Sequence, residues 1–386
     1  MRFNLTLLVI VMMGFVFPPA RAARACGGGL VTTRPGTIGA DAQRIIISAR
    51  DGTTDVITQI GVPSTTADYG VLIPLPSEPT LDGTPVASAD IDNLDRQTAP
   101  RLMRFDNNEG GIPLPGCGCG SSKGASNRGN EPDVRVSEPV AIGPVTAVTL
   151  TAETGDAINA WLADNGFVIP AADQALVADY AGPGRYFIAI RRSDTAATQV
   201  PSSVGVHFTL AGDQRALPMR FARLGAAPKV AFTVFVAAYT VAAPADPFAA
   251  LTINDLDAGT LNNTGYADAV SKAVSAHGNH AFVLEGSWSV PAVPDGIGPS
   301  LAPFMNARQT LTRMSTRVDA STLDADVAFD GIYSGSVPNQ RYTQRTSRRH
   351  PHAAFAFAAL AFTAVIRRRP RRSPGADAPT SSGRAS

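Results

Sequence analysis

The residues that could carry chemistry fall into a few short acidic and histidine groups. Asp255 and Asp257 stand in Asn254–Gly259, where alternating oxygens before a glycine turn are typical of calcium loops. The downstream bidentate glutamate of an EF-hand loop is missing at the required spacing. His277 and His280 have H-x-x-H spacing without the glutamate of a zinc helix. These four residues are candidate metal ligands, and acids and histidines that serve only a polar loop are the alternative.

Catalytic motifs are not recognisable elsewhere in the chain. The G-x-S-x-G sequence of a serine hydrolase elbow is absent. The glycines at 27–29 do not form a phosphate loop, since no strand precedes them and no Gly-Lys-Ser/Thr follows. His207 lies between Val206 and Phe208 in a strand pattern and is expected to be structural. We therefore predict no catalytic residue and no cofactor from sequence.

The three cysteines are Cys26, Cys117 and Cys119. Cys117 and Cys119 stand in a stretch rich in Gly, Pro and Ser, which predicts a surface loop. The simplest arrangement is a disulfide between Cys26 and one member of that pair. A metal site that uses all three cysteines, a free thiol and an intermolecular disulfide are the alternatives, because a C-x-C spacing alone does not distinguish them.

Residues 1–25 have the pattern of a secretory signal peptide. Arg2 precedes the apolar Leu7–Phe17, and small-residue cleavage signals follow it. Cleavage is expected after Ala22 or Ala25. Cleavage after Ala25 would place Cys26 first, as in a lipoprotein. A lipoprotein signal usually has Leu three residues before the cysteine and a small residue two before it, whereas this chain has Ala23 and Arg24 there. Export would permit disulfides.

Charge divides the chain into an acidic body and a basic tail. Residues 26–340 contain 20 Lys and Arg against 31 Asp and Glu, a formal net charge of −11. Residues 341–349 form a basic linker, and 367–386 form a basic tail that is expected to be disordered. The acidic body argues against nucleic-acid binding, which requires a basic surface.

Between the linker and the tail lies an apolar segment, residues 350–366. Its uninterrupted run, Ala353–Ile366, would span about 21 Å as a helix, short of the ~30 Å of a bilayer core. We predict either a single-pass transmembrane helix or a sorting segment that is recognised and cleaved. The arginines that follow would place a retained C-terminus in the cytoplasm.

The body shows mostly strand patterns. Three strands are predicted near 44–49, 56–62 and 69–75 as a meander whose first turn is Asp51-Gly52. A short helix is predicted near 90–102, a helical pair near 154–181 and a helix over 267–276. A further short helix is expected within 304–317 and strands near 186–190, 205–211, 216–223, 229–241 and 281–290. The fold class is α+β, dominated by mostly antiparallel strands, with two sub-domains if the loop near 107–131 separates them.

Several stretches of this body together resemble the bacterial domain-of-unknown-function 2330 family. The matching stretches are Cys26-Gly-Gly, Gln43–Val62, Asp68–Pro76, Thr98–Pro100, Gly155–Pro170, Tyr186–Ile190, Leu217–Ala222 and Leu311–Arg317. The resemblance implies an exported envelope protein, often with a C-terminal hydrophobic anchor. It implies no activity, so no catalytic residue is transferred.

From these observations we expect an exported cell-envelope protein with a periplasmic or cell-surface domain tethered to the membrane. Its expected role is to bind or to scaffold an unknown envelope protein or ligand without catalysis. The alternative is an envelope hydrolase or metal-dependent enzyme whose site is not visible in sequence.

Overall fold

The structure is a computed structural model, and it describes residues 28–32, 40–61, 69–105, 134–192, 203–332 and 335–344. The predicted signal peptide, the three cysteines, the loop near 107–131, the apolar segment 350–366 and the basic tail 367–386 lie outside these residues. The described residues up to Thr343 belong to one compact unit. Nineteen strands and five α-helices are assigned among the described residues, which agrees with a β-dominated fold.

The strands of the described residues are β1 (Gly29–Thr32), β2 (Ala40–Arg50), β3 (Thr53–Gly61), β4 (Tyr69–Leu75), β5 (Pro85–Val86), β6 (Arg101–Phe105), β7 (Val134–Val136), β8 (Val140–Ile142), β9 (Val145–Ala152), β10 (Tyr186–Arg192), β11 (Ser203–Ala211), β12 (Ala216–Leu217), β13 (Ala226–Ala238), β14 (Val241–Pro244), β15 (Ala249–Thr252), β16 (Ala281–Ser289), β17 (Thr310–Asp319), β18 (Val327–Ile332) and β19 (Gln340–Gln344). The helices are α1 (Ser88–Thr98), α2 (Gly155–Asp164), α3 (Ala171–Tyr180), α4 (Ala258–Asn263) and α5 (Tyr266–Ala276).

Two large sheets organise these elements. The six-stranded sheet has the order β1-β4-β10-β9-β7, with β8 also paired to β9. The eight-stranded sheet has the order β15-β16-β17-β13-β2-β3-β11-β5. Pairing is antiparallel except between β13 and β2 and between β15 and β16. The predominance of antiparallel strands confirms the predicted fold class at that level.

Apolar residues on both faces of each sheet build a layered arrangement. In β2, Ile45 and Ile47 face the core between the sheets, whereas Ile46 packs on the opposite face with α1. In β10, Ile188 faces the same central core and Phe187 packs beneath α2 and α3. Strands covered on both faces read as continuous apolar runs, which explains the sequence Ile-Ile-Ile. The helical pair therefore covers the six-stranded sheet and α1 covers the eight-stranded sheet.

The predicted three-stranded meander is wrong at its third strand. Strands β2 and β3 form the expected hairpin about Asp51-Gly52, with Asp51 at φ 47° and Gly52 at φ 83°. Strand β4, however, belongs to the other sheet, where it pairs with β1 and β10. A strand that changes sheets carries the same alternation of buried residues as one that stays, so the sequence pattern does not reveal the change.

The helices agree with prediction except within 304–317. Helices α2 and α3 form the predicted pair, and α5 covers the predicted 267–276. Helix α1 begins two residues before the predicted 90–102 but ends at Thr98, and residues 101–102 belong to strand β6 instead. Residues Thr310–Asp319 form the long strand β17 instead of a helix, preceded only by a 3-10 turn at Ala302–Phe304. Its β-branched residues favour a strand, and its pairing with both β13 and β16 fixes it there.

Candidate functional site

A cavity beside α2 has a volume of about 470 Å³. Strand β7 pairs with β9 so that Arg135 lies opposite Thr151 and Val134 opposite Ala152. Helix α2 begins directly after β9, and its first turn closes one side of the cleft. A volume of this size lies within the ~300–1,000 Å³ range of small-molecule sites.

The floor of the cleft is apolar and its rim is polar. Val134 and Ala152 are buried beneath α2 and supply the floor together with Ala157. The rim carries the exposed side chains of Arg135 and Glu153. Within the described residues, neither of these two side chains makes a hydrogen bond or an ion pair. The cleft therefore offers a guanidinium and a carboxylate to a ligand.

Local hydrogen bonds fix the remaining polar groups around the cleft. Thr154 caps α2, because its hydroxyl accepts from the backbone N–H of Ala157 at 3.3 Å. The Thr151 hydroxyl donates to the carbonyl of Arg185 at 2.9 Å, which ties β9 to the segment before β10. Gly155 allows α2 to approach α3, since a Cβ there would lie 2.3 Å from the Cα of Ala178. The cleft wall is thus held by packing and capping.

A second cluster of polar side chains surrounds His207, on the face of the eight-stranded sheet that α1 covers. Its Nε2 lies 3.0 Å from Oδ1 of Asp55, and the Thr209 hydroxyl donates to the same oxygen at 3.0 Å. Arg50 pairs with the other carboxylate oxygen at 2.9 Å. Burial alone would raise the pKa of Asp55, but the hydrogen bonds from His207 and Thr209 and the charge of Arg50 hold it below its ordinary value. The predicted position of His207 in a strand is confirmed. Its pairing with Asp55 could not be predicted from the sequence.

A third group is a buried charge network between α1, α5 and the eight-stranded sheet. Glu285 is the extra residue of a β-bulge, because the pairing of β16 with β17 steps from Leu284 to Gly286. Bulges redirect side chains. Its carboxylate, 1% exposed, accepts from Arg313 Nε at 2.5 Å, from Tyr266 at 2.8 Å and from the hydroxyl of Ser315. All of these side chains therefore form hydrogen bonds with one another.

The same network extends to α1. Arg313 donates through Nη1 to Oδ1 of Asp95 at 2.6 Å, and Arg44 pairs with the other oxygen of Asp95 at 2.8 Å. Burial alone would lower the pKa of Arg313, but the charges of Glu285 and Asp95 raise it above its ordinary value. The network links α1 and α5 to the eight-stranded sheet through hydrogen bonds and ion pairs, which is a structural role.

The partly buried Asp326 forms a fourth polar cluster, which joins α3 to the segment before β18. The hydroxyl of Tyr180 donates to its carboxylate at 2.7 Å, and the backbone N–H of Arg220 donates at 3.0 Å. Burial raises the pKa of Asp326 above its ordinary value despite these bonds. Burial and the Asp326 charge also raise the pKa of Tyr180.

The two aspartates of the predicted calcium pattern cap helical turns. Asp255 accepts from the backbone N–H and the hydroxyl of Thr252 at 2.7 and 2.8 Å in a capping box. Asp257 caps α4 through the N–H of Thr260 at 2.8 Å and pairs with Lys272 at 3.0 Å. These bonds hold the pKa of Asp257 far below its ordinary value. The two acids therefore lie at the starts of two successive helical segments, Ile253–Asp255 and α4. Helix α4 was not predicted from the sequence.

The two predicted histidine ligands lie at the end of α5 and use their rings for other contacts. Nδ1 of His277 lies 2.9 Å from the carbonyl of Ala273. Nε2 of His280 lies 2.7 Å from Oδ1 of Asp324, and its ring meets Phe248 edge-on at 5.0 Å. Within the described part of the chain, no three His, Cys, Asp or Glu residues are grouped so that they could hold a metal ion.

The fold and cleft together define a class of protein: a two-sheet, helix-covered domain with a small-molecule-sized cleft at the edge of one sheet. The sequence profile of a family described as an uncharacterized protein conserved in bacteria, domain of unknown function 2330, matches residues 19–330. The chain therefore belongs to that family, as its sequence stretches predicted.

Other comparisons add little. No curated protein matches the chain. Among solved structures, the chain is similar to a mutated baculovirus P35 after caspase cleavage, with 7% identity, a TM-score of 0.20, and coverage of 50% of this chain and 64% of that chain. A likeness at that level supports no conclusion about fold or function. Within the described residues, no helix has the length and apolar character needed to cross a bilayer, and the predicted 350–366 segment lies outside them.

Proposed function

We propose that this chain is an exported cell-envelope protein whose body binds a small polar ligand without catalysis. The observation that carries the proposal is the cleft beside α2, where Arg135 and Glu153 face the solvent above an apolar floor. A ligand that fits this arrangement has an anionic group for Arg135, a cationic or donor group for Glu153 and a small apolar part. Free amino acids and short peptides have this chemistry.

Binding is tested by titration calorimetry on the purified full chain with amino acids, dipeptides and sugar phosphates as probes. We expect a zwitterionic probe to bind, and we expect Arg135→Ala and Glu153→Ala each to weaken that binding about tenfold, the loss of one charge-assisted contact. Arg308→Ala is the matched control, because Arg308 is an exposed arginine outside the cleft. Binding that both cleft variants retain in full would refute the site.

Export and anchoring are supported by the sequence pattern of residues 1–25 and 350–366. Fractionation of cells that express the full chain, followed by intact-mass measurement, tests both. We expect an envelope fraction whose mass lacks residues 1–22 or 1–25. A mass that also lacks everything after about Arg348 would replace the permanent anchor with a cleaved sorting segment. A full-length mass in the cytoplasm would refute export.

An envelope hydrolase is the second candidate, and the pairing of His207 with Asp55 is the observation that favours it. A carboxylate that orients a histidine is a recurrent part of hydrolytic sites. Thr209 places a hydroxyl 3.5 Å from Nε2, but this hydroxyl already donates to Asp55. Activity profiling of the full chain against esters, glycosides and peptides decides between the two functions. Turnover that is lost in His207→Gln would establish the hydrolase.

A further inference from the structure

His207 stands between two carboxylates, one at each ring nitrogen. Nε2 lies 3.0 Å from Oδ1 of Asp55, and Nδ1 lies 3.5 Å from Oδ2 of Asp82. The histidine is 4% exposed, and Nδ1 is buried without a hydrogen-bond partner among the described residues. Asp82 is held in this direction because its other oxygen accepts from the backbone N–H of Thr84 at 2.9 Å. Among the described residues, the other oxygen, Oδ2, therefore remains available to interact with Nδ1.

A positive charge on the ring, or a cation between the ring and Asp82, would satisfy this arrangement better than a neutral imidazole does. A neutral imidazole has one N–H donor and one lone pair. If the N–H lies on Nε2, the lone pair on Nδ1 faces Asp82; if it lies on Nδ1, the lone pair on Nε2 faces Asp55. In either tautomer two acceptors repel. Burial of Nδ1 excludes the water that would separate them, so the repulsion is not relieved. A proton or a metal ion shared by Nδ1 and Asp82 removes it.

The proton is favoured over a metal ion because this position offers too few ligands. Among the described residues, only Nδ1 of His207 and Oδ2 of Asp82 face this position, whereas stable zinc sites use three or four protein ligands. No third His, Cys, Asp or Glu completes the set within the residues that the structure describes. A histidine changes its charge near neutral pH, so a proton suffices.

The charged and titratable groups that face the ring come from β2, β3 and the segment between β4 and β5. Strand β3 contributes Asp55, which also forms an ion pair with Arg50 of β2, and the segment between β4 and β5 contributes Asp82. Strand β11 contributes the neutral hydroxyl of Thr209. Phe304 covers the ring in a stacked contact with centroids 3.9 Å apart. The local surroundings thus contain two carboxylates against one arginine, which favours a positively charged ring.

The segment that carries Asp82 has few other attachments to the eight-stranded sheet. Thr80 exchanges two backbone hydrogen bonds with Thr209, at 2.9 and 3.0 Å, and β5 pairs with β11 over only two residue pairs. We propose that one proton bound between His207 and Asp82 latches residues 76–86 onto the eight-stranded sheet, so that the latch holds in mildly acidic solution and loosens as pH rises. This inference is independent of the cleft and of its ligand.

Hydrogen exchange of the full chain at pH 5.5 and pH 8.0, corrected for intrinsic rates, tests the latch at the amide of Thr80. We expect about fivefold greater protection at pH 5.5, the effect of one partly exposed ion pair. Asp82→Asn is expected to abolish this difference and keep the fold, since Asp82 is half exposed. Asp213→Asn is the matched control, because Asp213 is an exposed aspartate that pairs with Arg215.

Two outcomes would overturn the latch. One is equal protection of Thr80 at both pH values in the wild-type chain, and the other is an unchanged pH difference in Asp82→Asn. Nitrogen NMR of the histidine rings supplies a second readout, with both nitrogens of His207 protonated at pH 5.5. In the first of these outcomes, protection that instead responds to zinc and to a chelator would identify a metal ion in place of the proton.

Discussion

The carboxylate of Glu285 and the guanidinium of Arg313 form a buried ion pair, with Nε and Oε2 2.5 Å apart and both side chains less than one-tenth exposed. The pair exists because a bulge in β16 turns Glu285 toward the strand that carries Arg313. Tyr266 and Asp95 complete the hydrogen bonding of the two groups. Burying an ion pair costs desolvation energy, so the pair stabilises the fold only if the remaining donors and acceptors of both groups are also hydrogen-bonded.

Removing one member of this pair should be strongly destabilising. In Arg313→Met the carboxylate of Glu285 stays buried without its cation, and we expect a loss of about 3 to 5 kcal/mol in the free energy of unfolding. Adding Glu285→Gln should recover part of that loss, because a neutral amide can still accept from Tyr266. Urea denaturation of the wild type, both single variants and the double variant measures the coupling. Strict additivity of the two losses would contradict the network.

The strand content, the helical pair and the family follow from the sequence, because they depend on local patterns. Alternating or continuous apolar runs predict strands, and Ile158 and Leu162 at helical spacing predict α2, which buries both. The sheet to which β4 belongs could not be predicted, because its buried residues on either face would serve both sheets equally well.

The buried polar pairs could not be predicted, because their members are distant in the chain. Asp55 and His207 are 152 residues apart, and Tyr180 and Asp326 are 146 apart. No spacing in the sequence links such residues. The two acids Asp255 and Asp257 show the opposite case: a threonine three residues before Asp255 and another three after Asp257 already indicate capping, a simpler explanation than calcium.

Asp326 should make the protein less stable as pH rises above the ordinary pKa of aspartate, about 3.8. Its folded-state pKa is raised, so the native state holds this proton more tightly than the unfolded state does. Relative to Asp326→Asn, the wild type should therefore lose stability as pH increases from 4 toward 7. Chemical denaturation of both proteins at each pH gives the difference directly. A difference that grows in favour of the wild type with rising pH would contradict the raised pKa.

Asp55 should show the opposite dependence. Its folded-state pKa is lowered, so its ionised form contributes stability that is present above pH 3.8 and is lost as pH falls through the folded-state value. The wild type should therefore gain stability over Asp55→Asn as pH rises from 2 toward 5. Chemical denaturation of both proteins between pH 2 and pH 5 measures this difference in stability, and Asp213→Asn, at an exposed aspartate, serves as the control. A flat difference between wild type and Asp55→Asn over this range would show that Asp55 contributes no proton linkage.

Gly155 sets the distance between α2 and α3, and hence the wall of the cleft. A methyl group at this position would lie 2.3 Å from the Cα and 2.4 Å from the Cβ of Ala178, so the two helices must separate. We expect Gly155→Ala to cost about 1 to 3 kcal/mol in the free energy of unfolding, the usual range for overpacking. It should also weaken ligand binding in the cleft, because α2 moves as a unit.

The matched control is Gly259→Ala in the first turn of α4, where the nearest atom to a new methyl group is an oxygen of Asp257 at 3.4 Å. Since alanine is the better helix former by about 1 kcal/mol, this variant should be neutral or slightly more stable. Thermal denaturation of both variants, with calorimetry on the cleft, separates the contributions. Equal stabilities for the two variants would mean that α3 yields to the methyl group at Gly155, and that the packing of α2 on α3 does not define the cleft.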